Sequence, residues 1–367
     1  MARTLVTGNY AAGHALARAG EANRAARGCA AGAYPITPQT EIIEYLRAFD
    51  FTKGRIVPVE SEHSAMAVCI GASLNGARSF TASSSNGLAY MVENVYAAGY
   101  YRLPIVMMRD AAWMQFYTES HQDLVDTILL SFRVAEDPRV LLPAIVAQDG
   151  FVTSHTQMVA DLPEQELVDR YLPHCSVPHR LDHARPATVG NMVWPRETEH
   201  HRKQIQEAME TVPAVYAEAV DEFERVFGRR PGGLLETEQT EDAETIFIAV
   251  NTMASTLRHV VKERRARGEK VGMIKLKAFR PFPRAELIRA IGGAKKVGVL
   301  DRNHSPGSGG VFWNEVAVTL QGRDVLVQDY LVGLGGGDVT PNTIGGIVDD
   351  LTLRTVSSEP VWKEVTA

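Results

Sequence analysis

The sequence predicts an α/β protein with parallel β-sheets, divided into two domains. Apolar runs of strand length alternate with longer segments of helical character through most of the chain. A length of 367 residues is enough for two domains. Gly228–Gly233, rich in Gly, Arg and Pro, ends a long charged helix, and the alternation begins again after it. We therefore expect domains at residues 1–227 and 228–367.

The first predicted domain contains several strand and helix signals in order. Leu5–Thr7 is strand-like, and the Ala-rich residues 11–31 have helical character. Arg55–Val59 predicts a strand leading to Ser61, a good N-cap for the Ala-rich helix that follows. Further strands are expected at Ser79–Ala82, Leu103–Met108 and Val140–Ala147, and a long charged helix at Glu199–Phe227.

The second predicted domain repeats the same alternation. Strands are expected at Thr245–Val250, Val271–Leu276, Lys296–Leu300 and Val325–Gln328, the last strand of the chain. Helices are expected between them, around Ala254–Arg267 and 283–291. Strands separated by helices in this way favour a second parallel sheet.

Composition argues against several classes of function. The chain has 38 Lys and Arg against 44 Asp and Glu, a formal net charge of -6, so a nucleic-acid-binding surface is not expected. No apolar run approaches the ~20 residues of a membrane helix. The first residues lack the apolar core of a secretory signal. We expect a soluble, cytoplasmic chain.

The three cysteines, Cys29, Cys69 and Cys175, predict neither a disulfide framework nor a metal site. They are widely separated, and no Cys-x-x-Cys occurs. The chain alone therefore cannot offer four thiolates to an iron–sulfur cluster or a structural zinc. Buried, inert thiols are the expectation.

Three segments carry candidate chemistry. In Tyr34–Pro38 two prolines flank the Thr37 hydroxyl in an extended turn before a helix, which is also what an ordinary strand-to-helix connection contains. In Val59–Ala65, Glu62 begins a helix, where an acid either complements the helix dipole or binds a ligand nitrogen. His63 beside it is expected to be structural.

The third segment, Ser83–Leu88, breaks a strand into small polar residues. In a parallel sheet it exposes backbone at the carboxyl end of a strand, where ligands bind. It has neither the Gly-x-Gly-x-x-Gly dinucleotide motif nor the phosphate-loop motif. The Gly-rich loop Arg302–Gly310 lacks them too, and a structural or interface role is favoured there.

Together and in this order, these segments resemble the α subunit of 2-oxoacid:ferredoxin oxidoreductases, the pyruvate:ferredoxin oxidoreductase group. Tyr34–Pro38 is the most specific motif. Comparable family segments match at three further places, Ser61–Ala65, Ser83–Leu88 and Asp149–Phe151. The similarity continues over the rest of the chain, at Phe279–Pro283, Val299–Arg302 and Gly333–Pro341. The resemblance implies a thiamine-diphosphate-binding, pyrimidine-type parallel-sheet domain followed by a transketolase-C-terminal-like α/β domain.

The resemblance also implies a reaction and its partners. The family oxidatively decarboxylates a 2-oxoacid on thiamine diphosphate and transfers the acyl group to coenzyme A. Electrons leave through iron–sulfur clusters to ferredoxin, or to NAD⁺ through a flavin subunit. The cofactor is shared with a β subunit, whose Gly-Asp-Gly motif for Mg²⁺ and diphosphate is absent here. The clusters, like Mg²⁺, would lie on partner subunits of β, γ and δ type.

The family's site residues transfer to matching positions of this chain. Glu62 would contact N1′ of the aminopyrimidine and favour the tautomer that removes the thiazolium C2 proton. Thr37 would hydrogen-bond the substrate carboxylate or carbonyl. Both are the expected catalytic residues. The cofactor pocket would also include Tyr34, Pro35, Ser84, Ser85, Asn86 and Gly87.

The chain departs from the family pattern after the strand at Leu103–Met108. Relatives continue with a long loop that carries a substrate-binding arginine, whereas here Met108 runs directly into Arg109. Either the loop is deleted in this protein, or it is present in the protein and absent from this sequence. The second explanation is favoured, and it predicts a chain break between Met108 and Arg109. We do not transfer the role of the family arginine to Arg109.

Two other functions are compatible with the sequence. The chain could be a non-catalytic structural subunit of such a complex. It could also be part of a non-redox decarboxylase or transketolase-like enzyme. The sequence does not identify the 2-oxoacid. The aromatic residues Trp113, Phe116 and Tyr117 could favour a bulky or aromatic substrate, but ordinary core packing is the favoured explanation.

Overall fold

The computed structural model describes residues 2–106, 112–177, 180–190 and 193–363, which form two compact units. The first unit comprises Met1–Phe116 and Ser120–Pro231, and the second comprises Tyr117–Glu119 and Gly232–Ala367. Both are α/β units with parallel strands, as the sequence predicts. Among the described residues, no helix is both long and apolar enough to cross a membrane.

The first unit alternates strands and helices. Its strands are β1 (Ala2–Thr7), β2 (Cys29–Ala33), β3 (Gly54–Pro58), β4 (Arg78–Phe80), β5 (Ile105–Val106), β6 (Met114–Tyr117), β7 (Ala144–Ala147) and β8 (Gln157–Leu162). Its helices are α1 (Gly8–Glu21), α2 (Thr40–Ala48), α3 (Glu62–Leu74), α4 (Ser85–Tyr90), α5 (Val92–Tyr100), α6 (His121–Ala135), α7 (Val152–His155), α8 (Gln165–Tyr171) and α9 (Pro195–Phe227).

The main sheet of this unit contains a topological switch point. Its strands follow the order β6-β7-β5-β4-β2-β3, and β2 pairs in parallel with both β3 and β4. The chain leaves β2 towards β3 on one side, and leaves β4 towards β5 on the other. In open α/β sheets, ligands bind at the carboxyl ends of the two strands where the direction reverses. The fold alone therefore points to the loops after β2 and β4.

One expectation for the first 33 residues was wrong. The predicted helix 11–31 ends at Glu21, and strand β2 follows at Cys29. The Asn23 side chain donates to the Gly28 carbonyl at 2.7 Å, and Gly28 has a φ of +69°, which makes the turn between them. Alanines favour helix intrinsically, but burial in the sheet overrides that preference here. Strand β1 pairs antiparallel with β8, outside the main sheet.

A buried ion pair holds the beginning of β4. The guanidinium of Arg78 is fully buried, and its Nε lies 2.6 Å from Oε1 of Glu136. A second nitrogen of Arg78 donates to the Ala19 carbonyl at 2.6 Å. Such a pair offsets its desolvation only when its donors are satisfied, as they are here.

The second unit forms a six-stranded sheet with helices on both faces. The strands of the unit as a whole are β9 (Leu235–Glu238), β10 (Thr245–Ala249), β11 (Val271–Leu276), β12 (Ala278–Arg280), β13 (Lys296–Asp301), β14 (His304–Ser305), β15 (Gly309–Gly310), β16 (Leu326–Val332) and β17 (Val361–Lys363). Its helices are α10 (Asn251–Ala266), α11 (Arg284–Ile291), α12 (Val311–Leu320) and α13 (Pro341–Leu353). The sheet order is β17-β16-β13-β10-β11-β9, with only β9 antiparallel to its described neighbour.

The strands expected in this unit are present, with one correction. The last predicted strand, Val325–Gln328, extends to Val332, and a further strand, β17, follows near the end of the described chain. Helices α10 and α13 bury one apolar face of the sheet, and α11 and α12 bury the other. The near-continuous apolar strands are those of a parallel sheet covered on both sides.

Candidate active site

The three candidate segments lie together because they follow three neighbouring parallel strands. Tyr34–Pro38 follows β2, Ser61 and Glu62 follow β3, and Ser83–Ser85 follow β4. The carboxyl ends of parallel strands meet at one edge of the sheet. A hydrogen bond joins two of the loops, since the Ser84 hydroxyl donates to the Thr37 carbonyl at 2.7 Å.

Glu62 is placed by the start of helix α3. Ser61 caps this helix, and its hydroxyl accepts from the Ser64 amide at 3.2 Å. Helix α3 then packs closely on β2: a Cβ atom at Gly32 would lie 2.1 Å from the Ala65 carbonyl oxygen. These contacts hold Glu62 at the first helical position, where its side chain is only 7% exposed.

Gly87 leaves space for the Glu62 carboxyl group. A Cβ atom at position 87 would lie 2.5 Å from Oε1 of Glu62 and 2.5 Å from the Ser83 hydroxyl. Neighbouring Ser85 has a φ of +47°, a left-handed conformation that is uncommon for serine. The start of α4 is therefore shaped closely around the carboxyl group.

These segments surround an open cavity of about 670 Å³. Its described lining residues are Tyr34, Pro35, Ile36, Thr37, Glu60, Ser61, Glu62, Ser85, Asn86 and Tyr90. Six of the eight predicted site residues line it directly. The other two support it: Ser84 holds the Thr37 carbonyl, and Gly87 lies against Glu62.

The charge of this cavity limits what it can hold. It has two carboxyl groups, Glu60 and Glu62, and its described lining residues include no Lys, Arg or His. The Ser64 hydroxyl donates to Glu60 at 2.5 Å and lowers the pKa of that carboxyl group, which keeps it ionised. Such a cavity suits the neutral or cationic part of a ligand and does not suit a diphosphate.

Sequence reasoning missed several residues that position the Thr37 loop. The buried Asn9 donates from Nδ2 to the Pro38 carbonyl at 2.6 Å, and Gln148 donates to Asn9 Oδ1 at 3.0 Å. Gln39 donates to the Tyr34 carbonyl at 3.2 Å. No local pattern signals these contacts, since Asn9 and Gln148 are far from the loop in sequence. Glu60 and Tyr90 were also not predicted as lining residues.

His63 and Asp149–Phe151 lie near the candidate site but are not among the described lining residues of its cavity. Nε2 of His63 lies 3.7 Å from a Glu93 carboxylate oxygen, and His63 is not among the described lining residues. A Cβ atom at Gly150 would lie 3.6 Å from Cγ of Pro38, so Gly150 lies next to the end of the Thr37 loop.

In the second unit, two buried aspartates hold the Gly-rich loop Arg302–Gly310. Asp329 accepts from the Gly310 amide at 2.7 Å, and Asp301 accepts from the Phe312 and Asn303 amides at 2.6 and 2.8 Å. Burial raises the pKa of Asp301 to about 6. The carboxylates bind the loop backbone, which favours a structural role for it.

The described residues contain no group of three or more His, Cys, Asp or Glu side chains placed to hold a metal ion. All three cysteines are free and buried, and burial raises the pKa of Cys29 and Cys69 to about 12. The predicted chain break between Met108 and Arg109 lies outside the described residues.

Two family models match the chain. The thiamine diphosphate-binding domain of pyruvate flavodoxin/ferredoxin oxidoreductases matches residues 21–109 and 105–221. Core domain II of pyruvate:ferredoxin oxidoreductase matches residues 243–344. The first match is in two parts that overlap at residues 105–109, in the segment where the sequence was expected to depart from the family pattern.

Curated relatives are similar over most of their length. Pyruvate synthase subunit PorA of Methanothermobacter thermautotrophicus is 43% identical over 340 residues, 86% of this chain and 88% of that protein. Ketoisovalerate oxidoreductase subunit VorA of Pyrococcus horikoshii is 38% identical over 392 residues, 99% of this chain and 97% of that protein. The second alignment is longer than this chain, so the relative has residues without a counterpart here.

Solved structures share the fold. A 2-oxoglutarate:ferredoxin oxidoreductase from Magnetococcus marinus has a TM-score of 0.72 at 20% identity, over 95% of this chain and 65% of that chain. A split-gene transketolase, an inactive β4 tetramer, has a TM-score of 0.54 at 14% identity, over 95% of this chain and 94% of that chain.

Proposed function

Since this chain belongs to the pyruvate flavodoxin/ferredoxin oxidoreductase family, we propose that it is the α subunit of a multi-subunit, thiamine-diphosphate-dependent 2-oxoacid oxidoreductase. The reaction would be oxidative decarboxylation of a 2-oxoacid with transfer of the acyl group to coenzyme A. The relatives named pyruvate synthase and ketoisovalerate oxidoreductase support this reaction class.

One observation carries the proposal: the Glu62 carboxyl group lines the same cavity as Thr37, after β2, and lies against Gly87, after β4, so it borders both loops of the switch point. Without the glycine at position 87, a side chain would collide with Oε1 of Glu62. A fixed carboxyl group that lines an open cavity, with no Lys, Arg or His among the described lining residues, fits the uncharged aminopyrimidine end of thiamine diphosphate. When bound, the cofactor would supply carbanion stabilisation and an electron sink.

Two residues would carry the chemistry of this chain. Glu62 would hold and return a proton at the pyrimidine nitrogen, since its carboxyl group is fixed at the helix start and mostly shielded from water. Thr37 would donate its hydroxyl hydrogen to an oxygen of the substrate. Ser84 fixes the backbone carbonyl of Thr37 and so would orient that hydroxyl.

The remaining predicted residues would form the cofactor pocket. Four of them line the cavity and would contact the pyrimidine ring: Tyr34, Pro35, Ser85 and Asn86. Gly87 leaves room for Glu62. The acidic lining does not suit a diphosphate. We therefore propose that the diphosphate and its Mg²⁺ are bound by a β-type partner subunit, with the active site between the two subunits.

The electron carriers would also lie on partner chains. The three cysteines here are buried single thiols, and burial favours their neutral form over the thiolate that ligates iron. Iron–sulfur clusters on β-, γ- or δ-type subunits would pass electrons to ferredoxin or to an NAD-reducing flavin subunit. We propose a cytoplasmic location on the basis of this chemistry.

The proposal is tested on the complex that co-purifies with this chain from its native host. We expect a 2-oxoacid, coenzyme A and thiamine diphosphate together to support reduction of methyl viologen. The complex should also show the broad visible absorption of iron–sulfur clusters.

Two outcomes would favour the alternative functions. Decarboxylation without dye reduction or cluster absorption would indicate a non-redox thiamine-diphosphate enzyme. A complex that stays fully active after the Glu62→Gln change would assign this chain a structural role.

A further inference from the structure

The Tyr34–Pro38 loop, which carries Thr37, has few backbone donors of its own. Two of its five residues are prolines, which have no N–H group. Side chains from outside the loop hold two of its carbonyl groups. Ser84 donates to the Thr37 carbonyl. Asn9 donates to the Pro38 carbonyl. The conformation of the loop therefore depends on side chains that lie elsewhere in the sequence.

Asn9 is the more shielded of these two donors. It is 0% exposed, whereas Ser84 is partly exposed. Its Nδ2 lies 2.6 Å from the Pro38 carbonyl oxygen, and its Oδ1 accepts from Nε2 of Gln148 at 3.0 Å. A carbonyl oxygen can only accept, so Nδ2 faces the loop. A hydrogen bond shielded from water is stronger than an exposed one, because the local dielectric constant is low.

Helix α1 gives Asn9 a rigid base. Asn9 lies in the first turn of the helix, which Thr7 caps by accepting from the Tyr10 amide at 3.1 Å. Twelve of the 14 residues of α1 are buried. A helix held on nearly all sides moves little, so the Asn9 amide fixes the loop to a part of the unit that does not shift easily.

The two hydrogen bonds fix successive peptide groups that follow Thr37. Its own carbonyl belongs to the first group and the Pro38 carbonyl to the second. Each peptide group is planar, so holding both limits the backbone dihedral angles beside Thr37. Threonine is β-branched and has few χ1 rotamers. A fixed backbone therefore also fixes the directions open to the Thr37 hydroxyl at the active-site cavity.

We propose that Asn9 is a positioning residue for the 2-oxoacid: it holds the loop so that the Thr37 hydroxyl meets an oxygen of the substrate. This inference rests on the proposed function. Asn9 is not among the described lining residues of the active-site cavity, so it acts through the loop and not by contact with the substrate. Small displacements of a substrate-binding group are costly, since a shift of ~1 Å can lower a rate by about 10²-fold.

The test replaces Asn9 with leucine in the co-purified complex. Leucine has a similar shape and no hydrogen-bonding group. Asn9→Leu should raise KM for the 2-oxoacid by roughly 10-fold, as expected when one buried acceptor is left unbonded, with a smaller effect on kcat. Asn9→Ala should act in the same direction and serves if the leucine variant does not fold. Asn75→Leu, at an exposed position, is the matched control and should keep the wild-type KM.

Hydrogen–deuterium exchange of the complex gives a second readout that does not depend on activity. The Gln39 amide donates to the Ile36 carbonyl at 3.0 Å, so its exchange rate reports on the loop. Exchange in residues 36–41 should be faster in both Asn9 variants. Strand β10 of the second unit should exchange at the wild-type rate.

The outcomes separate this inference from the proposed function. Wild-type KM, or wild-type exchange of residues 36–41, in both Asn9 variants would overturn the positioning role. Faster exchange throughout the first unit with an unchanged KM would also overturn it, because Asn9 would then only stabilise the fold. A wild-type complex that turns over none of pyruvate, 3-methyl-2-oxobutanoate and 2-oxoglutarate would overturn the proposed function, and with it the role in substrate binding. The exchange of residues 36–41 would then still decide whether Asn9 holds the loop.

Discussion

Gly87 lies directly against Glu62: a Cβ atom at position 87 would be 2.5 Å from Oε1 of the carboxyl group. Real Cβ atoms do not approach an oxygen so closely, so any larger residue must displace the carboxyl group or the start of α4. The relationship joins two segments 25 residues apart, one after β3 and one after β4. The position of the Glu62 carboxyl group therefore depends on the absence of a side chain at position 87.

We predict that Gly87→Ala reduces activity while the protein still folds. The added methyl group would push the carboxyl group away from its position. The loss of stability should not exceed the ~1–3 kcal/mol of core overpacking, because the contacted atoms belong to side chains that can shift. Steady-state turnover and thermal unfolding measure the two effects.

Gly71→Ala provides the control for this change. Gly71 lies within helix α3, and a Cβ atom there would meet nothing within 4 Å. Alanine should stabilise the helix by about 0.5–1 kcal/mol and leave turnover unchanged. Equal activity in the Gly87 and Gly71 variants would show that the space beside Glu62 is not needed.

The Ser84 hydroxyl is predicted to act by orienting Thr37. Ser84→Ala removes the donor to the Thr37 carbonyl and should raise KM for the 2-oxoacid by roughly 10-fold, with a smaller effect on kcat. The loss of stability should be only about 1 kcal/mol, the usual value of one hydrogen bond. Ser84→Thr keeps the hydroxyl and should restore KM. If the threonine variant is as impaired as the alanine variant, the hydroxyl is not the relevant group.

His14 makes the stability of the chain depend on pH. Its Nε2 lies 3.0 Å from the Pro163 carbonyl oxygen and its Nδ1 3.0 Å from the Tyr45 hydroxyl. A carbonyl only accepts, so Nε2 carries the proton and Nδ1 accepts from Tyr45. Burial lowers the pKa of His14 below its usual 6.5. The folded protein therefore holds the neutral ring.

The direction of the effect follows from proton binding. Just below pH 6.5 the unfolded chain binds a proton at His14 that the folded chain does not. The free energy of unfolding should therefore fall as the pH falls through this window, by at most ~1.4 kcal/mol per pH unit. Urea unfolding between about pH 5 and 8 measures this slope. His14→Gln should reduce it, and His183→Gln, at an exposed position, should not. Identical slopes in both variants would contradict the assignment.

The fold and the site differ in how far the sequence predicts them. The strands of the second unit can be predicted from the sequence, because a parallel sheet buried on both faces needs continuous apolar runs. Strand β2 was missed because its residues, Cys29–Ala33, are small and mostly alanine, and only tertiary burial makes them a strand. Strand β1 was expected, but its antiparallel partner β8 lies 150 residues away and has no local signal.

The site residues were predicted through short motifs, and their convergence follows from strand order. Tyr34–Pro38, Glu62 and Ser85 lie near one another because β2 lies between β3 and β4. Contacts that depend on distant segments, such as Asn9 with the Pro38 carbonyl, could not be predicted. A long-range hydrogen bond leaves no periodic pattern in the sequence.

The central claim is that Glu62 exchanges a proton with the cofactor, and one measurement tests it most directly. Glu62→Gln keeps the size of the side chain and removes its ability to hold a proton. In the co-purified complex, methyl viologen reduction with a 2-oxoacid and coenzyme A should fall by roughly 10²–10⁴-fold. The affinity for thiamine diphosphate, measured by calorimetry, should change far less. Glu207→Gln, at an exposed position of α9, should retain full activity. Full turnover in the Glu62→Gln complex would contradict the account.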